Sequence, residues 1–71
     1  MQLSARNQLQ GRISALSTDG LMAEVTIQLE GGQSLVSVIT RASAESLALR
    51  EGDMVTAVIK STEVMVAKSM S

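Results

Sequence analysis

Apolar and polar residues alternate most regularly between Leu21 and Glu30. Four aliphatic residues fall on one side of that stretch and four polar residues on the other: Ala23, Val25, Ile27 and Leu29 against Glu24, Thr26, Gln28 and Glu30. Because successive side chains of a strand point to opposite faces, this period of two predicts a strand with one buried and one solvated face. The turn signals Ser17-Thr18-Asp19-Gly20 before it and Gly31-Gly32 after it predict hairpin connections.

The same period predicts four further strands, which are Leu3–Leu16, Gln33–Thr40, Met54–Lys60 and Glu63–Ala67. Gly11 lies near the middle of the long first strand and predicts a kink or a bulge there. The third strand carries Leu35, Val36, Val38 and Ile39, which places apolar groups on both of its faces. A strand that is apolar on two sides is buried on two sides, so the second side is expected to meet another subunit. An Asp at Val38 or Ile39 should then dissociate or unfold the protein.

The alternation stops between Arg41 and Ala48, where the residues favour a short helix with Thr40 or Ser43 as its N-cap. Leu47 and Leu49 are expected to plug the open end of a barrel, and Arg50–Asp53 to form a turn with Gly52 at positive φ. Five strands with one short helix between the third and fourth predict an all-β fold, a five-stranded OB-like barrel. We expect one domain over residues 1–68 and a frayed tail over 69–71.

The chain is small, and its composition points to self-association. It has 71 residues, of which 45% are hydrophobic, and contains no Cys, His or aromatic residue. A domain of this size buries only about 60% of its unfolded surface, and disulfides or structural zinc cannot compensate here. The excess of apolar residues therefore predicts that copies of the chain cover part of one another's surface.

Composition also narrows the classes of function. A net charge of −1 without aromatic residues disfavours nucleic-acid binding, which needs a basic groove and stacking platforms. Without His or Cys there is no ready base, nucleophile or soft metal ligand, so we expect neither an enzyme nor direct metal coordination. No signal peptide and no apolar run of about 20 residues is recognisable, which predicts a cytoplasmic protein without a membrane segment.

Candidate binding chemistry lies near the two ends of the chain. In an extended strand Ser4 and Arg6 share a face, roughly 7 Å apart, and a hydroxyl with a forked cation suits a small tetrahedral oxyanion. The alternative for this stretch alone is a frayed tail with a solvated Arg. Near the other end, a strand runs into Lys60 and is followed by a turn with two hydroxyls at Ser61-Thr62.

The two stretches Ser4-Ala5-Arg6-Asn7-Gln8-Leu9 and Ala57-Val58-Ile59-Lys60-Ser61-Thr62 together resemble the molbindin (Mop) family of small molybdate-binding proteins. The resemblance covers essentially the whole chain. It implies that molybdate or tungstate is bound as an intact oxyanion by the side chains of Ser4, Arg6, Lys60 and Ser61. Ala5 is expected to contribute its backbone, and Asn7 to brace the strand.

The resemblance also implies an assembly. In the family the ligands come from different subunits of a homohexamer that is a trimer of dimers, and a second class of anion site lies near a three-fold axis. An N-terminal strand exchanged between partners would explain its unusual length. We therefore expect intracellular molybdate storage. The alternatives are an oxyanion-sensing module of a larger regulator or transporter, and a purely structural oligomerisation domain.

Overall fold

A four-stranded antiparallel sheet makes up most of residues 6–69, the part of the chain that the computed structural model describes. The strands are β1 (Asn7–Asp19), β2 (Met22–Leu29), β3 (Ser34–Thr40) and β4 (Met54–Ile59), and one helix, α1 (Arg41–Ser46), follows β3. The order across the sheet is β3-β2-β1-β4. The fold is therefore mostly β with one short helix in the predicted place.

The length of β1 follows from its position at the centre of the sheet. Residues Asn7–Arg12 pair with β4, whereas residues Gly11–Asp19 pair with β2. Because β1 bridges two strands that are displaced along it, its 13 residues are accounted for within one chain. The part of the predicted first strand from Asn7 onward is thus not a candidate for exchange, and Leu3–Ala5 lies outside the described residues.

A kink or a bulge was predicted at Gly11, and of these two alternatives the bulge is wrong, because it lies elsewhere in β1. The register between β1 and β2 shifts between Ile13 and Ala15, two to four residues later. Position 11 needs a glycine because there is no room for a side chain between β1 and β2. A Cβ there would lie 2.6 Å from Ile27 Cγ2 and 2.7 Å from the backbone oxygen of Gln28. The glycine lets β1 and β2 approach closely over the core.

The core lies on the inner face of the curled sheet. Ile13, Val25 and Ile27 form its centre, each at most 5% exposed. The surrounding half-buried residues come from all four strands and the loop after the helix: Leu16, Leu29, Ile39, Leu49, Val55 and Ala57. Small aliphatic groups on facing strands thus replace the aromatic residues that the chain lacks.

The helix begins where the sequence places an N-cap. Thr40 has an extended backbone, and its Oγ1 accepts a hydrogen bond of 3.1 Å from the N–H of Ser43. The helix ends at Ser46, two residues earlier than predicted, because Ala48 takes a positive φ of 53°. The turn before β4 has Gly52 at a φ of 93°, as predicted. Of the two leucines expected to plug the barrel, Leu49 packs on the core and Leu47 stays 68% exposed.

The predicted fifth strand, Glu63–Ala67, is wrong for the chain on its own. A short 3₁₀ turn, Ser61–Glu63, follows β4, and residues 64–69 then have no regular secondary structure. A strand needs a neighbouring edge for its backbone hydrogen bonds, and this segment lies against none. Residues 6–69 consequently form a curled, open half-barrel, and the closed five-stranded barrel that the sequence predicts is absent there.

Candidate oxyanion-binding site

The end of the β1–β4 ladder brings together two predicted ligands that are 54 positions apart in the printed sequence. The last pair of this ladder joins Asn7 to Ile59. Arg6 precedes Asn7 and Lys60 follows Ile59, so one further step of the antiparallel register would set Arg6 opposite Lys60. Directly opposed residues have Cβ atoms about 4.5–5.5 Å apart. Two cations of the predicted site therefore lie just beyond the last ladder pair, at the same end of the sheet.

The two cations carry uncompensated charge. Both residues are exposed, and within residues 6–69 neither Arg6 nor Lys60 has an ion-pair partner. By contrast, Arg41 pairs with Glu45 at 3.1 Å, and Arg12 Nη1 donates to the carbonyl of Gly52 at 2.8 Å. Like charges directly opposite each other on neighbouring strands are destabilising. An anion between Arg6 and Lys60 would relieve that repulsion through charge-assisted hydrogen bonds.

The turn after β4 adds neutral donors beside these cations. Lys60 is the N-cap of the Ser61–Glu63 turn and makes no side-chain capping hydrogen bond. The carbonyl of Lys60 accepts from the N–H of Glu63 at 2.9 Å, which closes the turn. The first N–H groups of a helical turn have no acceptor within the turn. The N–H groups of Ser61 and Thr62 and the hydroxyls of the same two residues are therefore candidate donors to an anion. The N-cap residue, Lys60, has no carboxylate that would accept from these N–H groups.

Not all predicted ligands can be placed. Ser4 and Ala5 lie outside the described residues, so their predicted contacts with the anion stay predictions. Arg6, Lys60 and Ser61 lie at one end of the sheet and are exposed. Asn7 lies inside the ladder opposite Ile59.

Sequence analysis overlooked Glu63 as a neighbour of the site. Its carboxylate belongs to the same 3₁₀ turn as Ser61, in the first turn after Lys60. A carboxylate close to an oxyanion opposes binding by charge repulsion, so Glu63 would weaken the binding of an anion at this end of the sheet. The spacing of three residues from Lys60 is the signal that could have identified it.

A second overlooked feature is an apolar cavity of about 370 Å³ between β3 and β4. Its lining includes the inward residues of both strands: Leu35, Ser37 and Ile39, and Val55, Ala57 and Ile59. The period of two in both stretches predicts their inward faces but not the gap between them. This groove is mainly hydrophobic, and none of its lining residues is charged, so it lacks the cations that would balance an oxyanion.

Two further features concern metal binding and membrane insertion. Over residues 6–69, His, Cys, Asp and Glu side chains nowhere cluster in a group of three or more that could hold a metal ion. Within the same range, the structure has no helix long and apolar enough to cross a membrane.

Comparison with known proteins supplies the family. The sequence profile of the TOBE domain matches residues 3–66, which is nearly the whole chain. The chain belongs to the TOBE domain family. This TOBE domain is 46% identical over 66 residues to molybdenum-pterin-binding protein 1 of Clostridium pasteurianum, covering 93% of this chain and 97% of the relative. The predicted resemblance to the molbindin (Mop) proteins is thereby confirmed.

The fold of this TOBE domain matches that of a molybdate-binding protein from Sporomusa ovata. The TM-score is 0.91 at 37% identity, over 96% of this chain and all of the other. The molybdenum transport protein ModE of Azotobacter vinelandii is 42% identical over 71 residues, which is all of this chain but only 26% of ModE. The domain thus resembles both small stand-alone proteins and one part of a larger protein.

Proposed function

We propose that this TOBE domain binds molybdate or tungstate as an intact tetrahedral dianion at the end of the β1–β4 ladder. Arg6 and Lys60 supply two positive charges, Ser61 a hydroxyl and the following turn its backbone N–H groups. Ser4 adds a second hydroxyl and Ala5 its backbone. The observation that supports the proposal is the β1–β4 register, whose last pair is Asn7 with Ile59 and which therefore brings Arg6 and Lys60 to the same end of the sheet. Neither cation has a carboxylate partner among the described residues.

The chemistry of the donors suits such an anion. A fully ionised oxyanion of this class accepts hydrogen bonds through four oxygens and donates none, so its site should be rich in N–H and O–H groups. Two cations balance its double charge. Binding rather than catalysis fits the same residues, since the set contains no His, Cys or carboxylate that could act as a general base.

We further propose that the domain works as a homohexamer, a trimer of dimers, that stores molybdate in the cytoplasm and binds it between subunits. Support comes from apolar surface that a single chain leaves uncovered. Val36 and Val38 on the outer face of β3 are 62% and 59% exposed, and the groove between β3 and β4 is open. Association would cover both surfaces and add stability that a domain of this size lacks alone.

An oxyanion-sensing module is the second candidate function. The similarity to ModE favours it. All 71 residues of this chain align with 26% of ModE, so a similar domain is one part of that larger molybdenum transport protein. A sensing module would copurify with a partner protein from its native cells, whereas a storage protein would purify as the homohexamer alone.

The test of the proposed function is calorimetric titration of the purified protein with molybdate, tungstate and sulfate. The parent should bind molybdate or tungstate, and Arg6→Ala and Lys60→Ala should each lower the affinity by about 10- to 100-fold. Arg6→Lys should restore part of the loss, since an ammonium cannot make the forked contact of a guanidinium.

Arg50→Ala is the matched control. It also removes one exposed cation, but from the turn before β4, at the far end of that strand from Lys60. Its affinity should equal that of the parent. If Arg6→Ala and Lys60→Ala bind as tightly as the parent while remaining assembled, the proposed site is wrong. An intact hexamer without affinity for any of the three anions would instead indicate a structural oligomerisation domain.

A further inference from the structure

The end of the sheet that carries the two cations also carries one acidic group. The β1–β4 ladder brings residues 6–8 and 58–63 to this end, and the charged residues in these two stretches are Arg6, Lys60 and Glu63. Two cations and one carboxylate give a formal charge of +1. Arg6 and Lys60 alone would balance a dianion, whereas the three groups together balance only a monoanion.

The backbone holds Glu63 within one turn of Lys60. The N–H of Glu63 donates to the carbonyl of Lys60 at 2.9 Å, and the N–H of Val64 donates to the carbonyl of Ser61 at 3.4 Å. These two hydrogen bonds span the 3₁₀ turn Ser61–Glu63. The charge of Glu63 therefore belongs to the same turn as the hydroxyl and N–H groups that are proposed to hold the anion.

Contact with a cation does not neutralise the carboxylate of Glu63. Within residues 6–69 it forms no ion pair, although Lys60 is only three positions away, and the pair found there joins Arg41 to Glu45. Glu63 is exposed, as are Arg6 and Lys60. An exposed carboxylate without a partner repels a nearby anion through the solvent, and dissolved salt screens that repulsion.

This repulsion depends on the charge of the anion. By Coulomb's law, a carboxylate repels a dianion twice as strongly as a monoanion at the same distance. At a separation of roughly 8 Å in water, the repulsion lowers the affinity for a dianion about sixfold and that for a monoanion about twofold. Tungstate and perrhenate are both tetrahedral anions with four oxygens, but they carry two charges and one charge. Comparing them therefore separates the effect of charge from that of shape.

We propose that Glu63 sets the charge selectivity of the anion site by lowering its affinity for dianions more than its affinity for monoanions. The inference rests on the proposed function and adds to it a residue that makes no contact with the ligand. A fully ionised oxyanion has no hydrogen to donate to a carboxylate, so Glu63 acts on it only by repulsion. The resulting weaker complex releases its anion more readily, which suits the proposed storage role.

Calorimetric titration of the full-length protein with tungstate at low ionic strength tests the proposal. Glu63→Gln removes the charge and keeps the size of the side chain, so its affinity should exceed that of the parent about sixfold. Glu51→Gln is the matched control and should bind like the parent. It removes an exposed carboxylate from the turn before β4, at the far end of that strand from Lys60. Glu63→Asp keeps the charge on the turn and should also bind like the parent.

Two further measurements distinguish a charge effect from a change in the shape of the turn. The gain of Glu63→Gln should shrink in about 1 M salt, where the Debye length is about 3 Å. In displacement titrations against bound tungstate, Glu63→Gln should raise the affinity for perrhenate only about twofold. A gain that persists in salt, or that is equal for the two anions, overturns the charge selectivity. Failure of perrhenate to compete in either protein also overturns it, because other groups then reject monoanions.

Failure of this inference and failure of the proposed function give different results. If Glu63→Gln binds tungstate like the parent while Arg6→Ala and Lys60→Ala lose affinity, the anion lies at the proposed site and Glu63 does not act on it. Equal gains in Glu63→Gln and Glu51→Gln would show an effect of net charge alone and would overturn the role of Glu63. If the parent binds neither molybdate nor tungstate, the proposed function itself is wrong.

Discussion

The two sides of this half-barrel differ in how completely one chain can finish them. On the side of the β1–β2 hairpin, both strands are paired along both of their edges. Its core residues are at most 5% exposed: Ile13, Ala23, Val25 and Ile27. On the side of β3 and β4, the inward residues are only half-buried and surround an open cavity. The first side gains its burial from contacts within one hairpin, whereas we propose that a second copy of the chain covers the other side.

This difference in burial suggests separate roles for the two sides. We expect the hairpin side to determine the folding stability of one chain and the open side to determine association. The hairpin side is expected to fold at any protein concentration, because its partners are tethered. If a second copy covers the open side, as proposed, the stability of that side should depend on protein concentration. Variants on the two sides should therefore separate in concentration-dependent unfolding, and the following predictions use that separation.

The largest effect is expected from Ile13→Ala on the closed side. Ile13 is 1% exposed at the centre of the core, so truncation should cost about 2–5 kcal/mol of unfolding free energy. Thermal unfolding should report this loss at every protein concentration. Val36→Ala, which truncates a 62% exposed side chain of β3, serves as the comparison in the dilute protein. Equal losses for both variants would contradict the contrast between the two sides.

A smaller effect is expected from Gly11→Ala on the same side. The new Cβ would meet Ile27 Cγ2 at 2.6 Å and the backbone oxygen of Gln28 at 2.7 Å, and the backbone atom cannot rotate away. Overpacking of this kind costs about 1–3 kcal/mol, which denaturant unfolding would measure. Gly20→Ala has no neighbour within 4 Å but sits at a φ of 59°, so it separates backbone strain from crowding. Unchanged stability of Gly11→Ala would show that β1 and β2 can move apart freely.

The open side should respond to Val36→Asp through assembly. An unpaired charge at a covered apolar surface should weaken association by at least about tenfold, while a 62% exposed position leaves the isolated chain nearly as stable as before. Sedimentation across a dilution series would show smaller species at higher concentration than in the parent. Gln28→Asp, on the exposed face of β2, should keep the parent's assembly. An unshifted series for Val36→Asp would place the outer face of β3 outside the interface.

The smallest effect is expected from Ser4→Ala, which tests one ligand of the proposed anion site. Loss of one neutral donor to the anion should cost on the order of 1 kcal/mol, or about fivefold in calorimetric affinity. Ser14→Ala removes a hydroxyl at an exposed position of β1 and should bind like the parent. If Ser4→Ala also binds like the parent, the hydroxyl of Ser4 makes no contact with the anion.

Sequence pattern alone predicted features whose causes are local. The alternation from Leu21 to Glu30 predicted β2 to within one residue at each end, because a strand of period two exposes its pattern directly. Thr40 predicted the start of the helix, since its side chain caps an N–H three residues away. Gly52 predicted a turn at positive φ, which other residues rarely adopt.

Features that depend on distant parts of the chain came only from the tertiary structure. The bulge lies beyond Gly11, because the register of β1 against β2 shifts between Ile13 and Ala15. A glycine is needed at position 11 because Ile27 lies too close for a Cβ atom. The motifs singled out Arg6 and Lys60 separately, but it is the β1–β4 ladder that aligns them.

What the sequence by itself determined is therefore the set of β1 to β4, the helix and the charged groups near each end of the chain. Tertiary structure decided which strands are neighbours, where the sheet stays open and that Val64–Ala67 has no edge within its own chain. The physical reason is that alternation and caps act over a few residues, whereas a strand exists only beside a partner strand. Residues 64–67 are a continuous apolar run, yet they stay exposed because no neighbouring strand pairs with them among the described residues.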